Sequence, residues 1–217
     1  MAANASVISA LARLSRRRLR VTSLSFEELG RKNLATYPWP HLLLDNFLPE
    51  VELAEGLEEI ASAEYEFGVE SRGSGRIEFS LLRSKILWRS IYSPMLVNLI
   101  SETFGVRVRL NKHNMLQLRR MTDETPEFPL HSDYTSTEDT IAAFLYLSEG
   151  WSPTCGGRLR LYEANDVSAG SIEIEPIRNR FIAFQTKPDH WHSVERVHNW
   201  DRFSILSLWN IEDEIHC

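Results

Sequence analysis

The chain predicts a mainly β domain with helices on its N-terminal side, a sandwich or jelly roll of about eight strands. Three observations carry this. After Gly105, eight short β-branched and aromatic runs follow one another, at 106–110, 113–121, 140–147, 157–162, 171–175, 180–185, 190–197 and 202–210. Turn residues separate them: Thr122-Asp123-Glu124, Glu149-Gly150, Ser152-Pro153, Asn165-Asp166, Pro188-Asp189 and Asn199. Before Gly105 the apolar residues recur at helical spacing instead. Many short strands at this spacing close into a sandwich or jelly roll.

Taken in order, residues 5–19 can form a basic amphipathic helix. Residues 41–48 read as a buried strand leading into a turn, and Pro49 suits the first turn of a helix. Val51, Leu53, Ala54, Leu57, Ile60 and Ala61 then mark one helical face up to Ser62. Residues 66–80 contain Ser71-Arg72-Gly73-Ser74-Gly75-Arg76 and read as a mobile loop, a candidate lid or a plain surface loop. Residues 93–104 form a second helix, with Gly105 at the stop position. No linker divides residues 26–217, so they are expected to form one domain behind a basic segment at 1–25.

Composition narrows the function classes. Hydrophobic residues make up 43% and charged residues 25% of the 217, as in soluble globular proteins. No apolar run approaches the ~18–20 residues that span a bilayer, so no membrane partner is expected. The net charge of −6 disfavours a nucleic-acid partner. Residues 1–25 hold five arginines and no acid, which leaves 19 basic against 30 acidic residues in the rest. Such a start reads either as a basic surface helix or leader, or as a transit peptide. Two cysteines, Cys155 and Cys217, make no disulfide framework, and a cytoplasmic setting is expected.

The chemistry is concentrated in three places. In Pro129-Leu130-His131-Ser132-Asp133-Tyr134, the histidine and aspartate are two apart, and on a strand that spacing puts both on one face. About 60 residues later comes His190-Trp191-His192-Ser193-Val194. A jelly roll can return this strand beside the first, and His192 would complete a two-His, one-carboxylate face suited to non-haem Fe(II). A closed structural zinc site would need a fourth ligand, and the thiols are poorly placed. Third, Arg202 opens an otherwise apolar strand (Phe203, Ile205, Leu206, Leu208, Trp209). A buried guanidinium needs an anion, met either by an internal salt bridge or by a ligand carboxylate.

In order and spacing, these pieces resemble the prolyl 4-hydroxylase-like branch of the Fe(II)/2-oxoglutarate oxygenases. The matching string runs from His131-x-Asp133 through Phe144-Leu145-Tyr146-Leu147-Ser148-Glu149-Gly150-Trp151, Gly156-Gly157-Arg158-Leu159-Arg160-Leu161-Tyr162, Ile174-Glu175-Pro176 and Arg180-Phe181-Ile182-Ala183-Phe184. It ends in His192-Ser193-Val194 and Arg202-x-Ser204. The resemblance spans about Pro38 to Asn210 and implies a double-stranded β-helix, cupin-like, with helices packed outside. It assigns His131, Asp133 and His192 to the metal. Arg202, with Ser204 beside it, is assigned to the C5 carboxylate of 2-oxoglutarate. Tyr146 matches a donor to that carboxylate, where its residue type alone reads as a core tyrosine. The implied cofactors are Fe(II), 2-oxoglutarate and O2, with ascorbate as a reductant. The implied reaction is hydroxylation, releasing succinate and CO2.

The chain departs from the branch before His131, where residues 121–128 lack the usual Tyr and Gly, leaving Arg119 or Arg120 as substitutes. His190 competes with His192 for the metal, or stands behind it as a supporting or substrate residue. The expected mouth residues are Lys112, His113, Gln117, Arg119, Tyr134, His190 and Trp209, a mixture suited to an amino acid, a peptide or another polar small molecule. Two other readings are a zinc enzyme on the same frame and a non-catalytic ligand-binding module. The first gives Arg202 no role; the second does not account for the presence of all four of His131, Asp133, His192 and Arg202.

Overall fold

The computed structural model describes residues 26–72, 75–109, 116–135 and 139–214. The basic segment at 1–25 lies outside the described residues, as do Lys112 and His113. The helices are α1 (Phe26–Asn33), α2 (Glu50–Ser62), α3 (Lys85–Ile91) and α4 (Pro94–Phe104). Local chemistry sets their ends. Ser84 Oγ accepts from Leu87 N at 3.1 Å and Ser93 Oγ from Leu96 N at 3.3 Å, each capping the helix that follows. Pro94 occupies the first turn of α4, and Gly105 ends it at φ 64°. Pro49 is the residue on which α2 begins.

The strands are β1 (Leu34–Ala35), β2 (His41–Leu44), β3 (Gly68–Arg72), β4 (Gly75–Leu81), β5 (Val106–Arg109), β6 (Gln117–Met121) and β7 (Phe128–His131), then β8 (Thr140–Tyr146), β9 (Leu159–Tyr162), β10 (Ser171–Ile174), β11 (Phe181–Gln185), β12 (Trp191–Val194) and β13 (Arg202–Glu214). They form two sheets of a jelly roll. The larger runs β1-β2-β11-β8-β13-β6-β4-β3, with β5 on β13, and the smaller runs β10-β9-β12-β7. The expected β core is therefore present, enlarged by β1, β3, β4 and β7, which the eight sequence runs did not include.

Strand alternation divides the large sheet into two faces. Phe203, Ile205 and Trp209 of β13 lie abreast of β8 residues on the face covered by α2, α3 and α4, where Leu53, Leu57, Leu87, Leu96 and Ile100 complete a buried cluster. The even-numbered residues of β13 face the small sheet, where Leu206, Tyr146, Met121, Leu159 and Val194 form a second cluster. Trp209 therefore does not line a mouth. It is fully buried on the helix side, edge-on to Tyr92 at 5.0 Å, and its Nε1 donates to Ser207 Oγ at 3.1 Å. An odd position on a strand whose even positions face the site is turned away from it.

The expected loop at 66–80 is instead the hairpin β3–β4, laid along the large sheet by pairing of β4 with β6. Arg119–Glu70 (2.8 Å) and Arg120–Glu78 (2.5 Å) ion pairs fasten it to β6. Helices α1 and α3 are further elements that the apolar spacing did not reveal.

His41 on β2 makes a pH prediction. It is 2% exposed, its Nδ1 donates to the Trp39 carbonyl at 3.0 Å, and burial pushes its pKa down. Below about pH 6.5 the unfolded chain takes up a proton that folded His41 refuses. Stability then falls with pH from about 6.5 down to the folded pKa, at up to about 1.4 kcal/mol per pH unit. Urea unfolding between pH 7.5 and 5.5 should show this loss, and His41→Phe should lower the slope by one proton's share.

Candidate active site

Strands β7 and β12 are antiparallel neighbours in the small sheet, and their register sets His131 directly opposite His192. The two ring centroids are 4.2 Å apart. Asp133 arrives differently from the sequence expectation. Strand β7 ends at His131, so Asp133 is not on the same face of one strand. The chain beyond the strand end carries its carboxylate to both rings instead, with Oδ1 3.5 Å from His131 Nε2 and Oδ2 3.4 Å from His192 Nε2. One ligand atom from each of the three lies within 4.8 Å of the others.

The backbone settles which nitrogens face inward. His131 Nδ1 donates to the Pro129 carbonyl at 2.7 Å and His192 Nδ1 to the His190 carbonyl at 3.1 Å. A carbonyl only accepts, so each Nδ1 carries a hydrogen, and each Nε2, the nitrogen that faces Asp133, is the one left to bind a metal. Burial alone would raise the Asp133 pKa, but the imidazoles of His192 and His131 override it and hold the carboxyl well below its usual range. Burial pushes His131 down, against the pull of Asp133. A carboxylate and two Nε2 lone pairs at this spacing could hold a divalent metal without a large protonation cost.

His190 is turned elsewhere. Its ring stacks on Trp39 at 4.4 Å and 8°, and its Nδ1 donates to the Gln185 carbonyl at 2.6 Å. Its own carbonyl receives the His192 Nδ1 hydrogen bond, so it supports that ring through the backbone.

The same pocket contains Arg202, only 3% exposed at the start of β13. Its guanidinium lies 4.9 Å over the Tyr146 ring, with Nη1 3.5 Å from Ser204 Oγ and 4.0 Å from Met121 Sδ. Among the described residues no carboxylate pairs with it, so the internal salt bridge is not what meets its charge. Arg202 Nε and Tyr146 Oη are both buried without a hydrogen-bond partner. Burial raises the Tyr146 pKa, against the charge of Arg202, so the phenol stays a donor at neutral pH. Two donors without acceptors at one end of a pocket, and three metal ligands in the same pocket, fit a dicarboxylic keto acid that chelates a metal. Ile77, Phe128, Phe144, Leu159 and Val194 form apolar walls that the motif reading did not identify. Phe144 was findable, since it stands two residues before Tyr146 on the same strand. Gly157, at φ 73°, brings its backbone close to Arg202: an added Cβ would lie 3.1 Å from Arg202 Cδ.

The substrate candidates divide. Arg119 lines the pocket, and Gln117 is hydrogen-bonded to it. Tyr134 is exposed just beyond the metal-ligand cluster, while His190 and Trp209 are buried as described.

Comparison with known proteins agrees with this geometry. Residues 116–209 match the family model described as the 2OG-Fe(II) oxygenase superfamily. No curated protein matches the chain. Among solved structures, a Pseudomonas putida prolyl-4-hydroxylase is 15% identical at a TM-score of 0.62, covering 87% of this chain and 99% of that one. A Trichoplax adhaerens prolyl hydroxylase, solved with a hypoxia-inducible-factor peptide, is 17% identical at 0.62, covering 96% and 90%. The α-ketoglutarate-dependent epimerase SnoN of nogalamycin biosynthesis is 14% identical at 0.64, covering 85% and 82%. At these identities the likeness speaks for the fold, which is the jelly roll described above. The matched segment, residues 116–209, is the part of the chain that holds His131, Asp133, Tyr146, His192 and Arg202, so the pocket lies within the stretch that is similar to the 2OG-Fe(II) oxygenase superfamily.

Proposed function

We propose that His131, Asp133 and His192 hold Fe(II), that Arg202, Tyr146 and Ser204 receive the far carboxylate of 2-oxoglutarate, and that the enzyme hydroxylates an unactivated C–H bond. The substrate class is an amino acid or peptidyl side chain, or a natural-product intermediate. The catalytic unit is residues 26–217, with 1–25 as a basic leader or helix. The observation that carries the reading is the buried Arg202 guanidinium, with which no acid among the described residues pairs and which shares the pocket with the three metal ligands.

When bound, the metal and cosubstrate supply a two-electron oxidation: O2 is consumed, 2-oxoglutarate becomes succinate and CO2, and a substrate C–H becomes C–OH. The chain's own residues do the positioning. The Pro129 and His190 carbonyls fix the two imidazole tautomers. Asp133 stays ionised, which offsets the metal's charge. Arg202 offers a planar fork that a carboxylate meets in two parallel hydrogen bonds, and Tyr146 adds a third donor. Phe128, Phe144 and Leu159 keep water from this end of the site.

 The apolar wall formed by Phe128, Phe144 and Leu159 lines this pocket. Water kept away from the donors strengthens each of these contacts.

The related structures lend support to the substrate classes. The Trichoplax adhaerens enzyme was solved with a peptide and SnoN with Fe3+, α-ketoglutarate and a nogalamycin compound. A zinc enzyme on this frame would leave Arg202 and Tyr146 without partners. The test is spectroscopic. Fe(II) and then 2-oxoglutarate are added without oxygen, and a weak visible charge-transfer band is expected as the keto acid chelates the metal. No band, with metal shown to be bound, would reject the oxygenase site.

A further inference from the structure

The pocket holds a second arginine that the cosubstrate does not need. Arg119 on β6 stands opposite Ser204 on β13, which in turn stands opposite Tyr146 on β8. Directly opposed residues share a face, so Arg119 projects on the same side as the cosubstrate end of the pocket. A single far carboxylate is already served by Arg202 and Tyr146. Arg119 therefore adds a second positive charge to this side of the pocket, held there by Glu70 and Gln117.

Its present partners are replaceable. Arg119 Nη2 donates to Glu70 Oε2 at 2.8 Å, and Nε and Nη2 donate to Gln117 Oε1 at 3.1 and 3.0 Å. The ion pair is partly open to water, with side-chain exposures of 13% for Arg119 and 32% for Glu70. A pair with one partner open to water holds less firmly than a fully buried one. An incoming carboxylate can displace Glu70 at little cost, because Glu70 on the edge strand β3 can turn to solvent.

The surface beyond Arg119 is apolar. Phe79 is its direct neighbour on β4, and Leu81, 52% exposed, is opposite Gln117. Leu208, 41% exposed, follows Leu206 on the same face of β13. Apolar side chains beside a pocket suit the apolar part of a ligand that enters it.

We propose that Arg119 is the receptor for a carboxylate on the substrate, and that Phe79, Leu81 and Leu208 take an apolar body attached to it. This rests on the pocket being the oxygenase site and specifies its substrate class: an apolar carboxylic acid, either simple or part of an α-amino acid.

The test is calorimetric, on protein loaded with redox-inert Mn(II) and saturating 2-oxoglutarate. The probes are octanoate, octanamide, octylammonium and 2-amino-octanoate. Octanoate is expected to bind at least about tenfold more tightly than octanamide. Arg119→Gln should weaken octanoate by about tenfold or more and leave the 2-oxoglutarate affinity unchanged, while Arg119→Lys should keep part of the binding. Glu70→Gln should tighten octanoate several-fold by removing its competitor. Tighter binding of 2-amino-octanoate than of octanoate would support the amino-acid form, with Glu70 receiving the ammonium; the reverse would support the simple acid. Equal binding of octanoate and octanamide, no octanoate binding, preference for octylammonium, or loss of 2-oxoglutarate binding in Arg119→Gln would each overturn the proposal. Failure of the unmutated protein to bind 2-oxoglutarate is read separately and counts against the oxygenase site itself, since octanoate can also be titrated into the metal-free protein.

Discussion

Replacing Arg202 with methionine is expected to raise the melting temperature of the ligand-free protein and, in the same variant, to weaken 2-oxoglutarate binding about 30-fold or more. The two effects have one cause. Arg202 is buried, no acid among the described residues pairs with it, and its Nε has no acceptor. A buried guanidinium without an anion destabilises the fold, and an apolar side chain of similar length removes that cost and packs against Met121 and Tyr146. Each kcal/mol gained raises the melting temperature of a domain this size by about 2–4 °C. When the cosubstrate carboxylate arrives, the balance reverses. Losing one partner of a buried, hydrogen-bonded charge pair costs about 2–5 kcal/mol of binding, which is about 30-fold to several thousandfold. Thermal melts with and without 2-oxoglutarate, together with a direct titration, measure both. A lower melting temperature with unchanged 2-oxoglutarate affinity would make Arg202 a structural residue and remove the main support for the site.

What the sequence made legible follows from where the chain's periodicity is simple. Helix α2 was visible because Leu53, Leu57 and Ile60 recur on one face, and α4 because Ser93-Pro94 opens it and Gly105 closes it. The metal-ligating residues and Arg202 were visible because their types are costly to bury without a purpose. The hairpin at 68–81 was hidden because the sequence Gly73-Ser74-Gly75 reads as a loop, while its strand character depends on pairing with β6, a contact distant in sequence. Trp209 was misplaced for a simpler reason. Its residue type suggested a binding surface, yet counting alternation from Arg202 already puts it on the opposite face. Asp133 reached its expected neighbours by a different route, since nothing in His-Ser-Asp indicates that the strand stops at His131. Glu70 could not have been paired with Arg119 before the hairpin was seen.

Two histidines that sequence spacing could not separate should behave very differently when removed. His192→Ala is expected to abolish tight Fe(II) binding and reduce turnover by at least about a thousandfold, of the order seen when a group central to the chemistry is lost. Its Nε2 lies 3.4 Å from Asp133, and no other histidine among the described residues joins the cluster to replace it. His190→Ala leaves all three ligands in place. The carbonyl that receives the His192 Nδ1 hydrogen bond belongs to the backbone of residue 190 and survives the substitution. What is lost is the stack on Trp39 and the bond to the Gln185 carbonyl that hold this stretch of backbone still. A looser support of that kind costs about 10- to 100-fold in metal affinity or activity. Excess Fe(II) should therefore restore much of the activity of His190→Ala and none of that of His192→Ala. Rescue of His192→Ala by added metal, or complete loss in His190→Ala at saturating metal, would exchange the two roles and place the metal on the Trp39 side of β12.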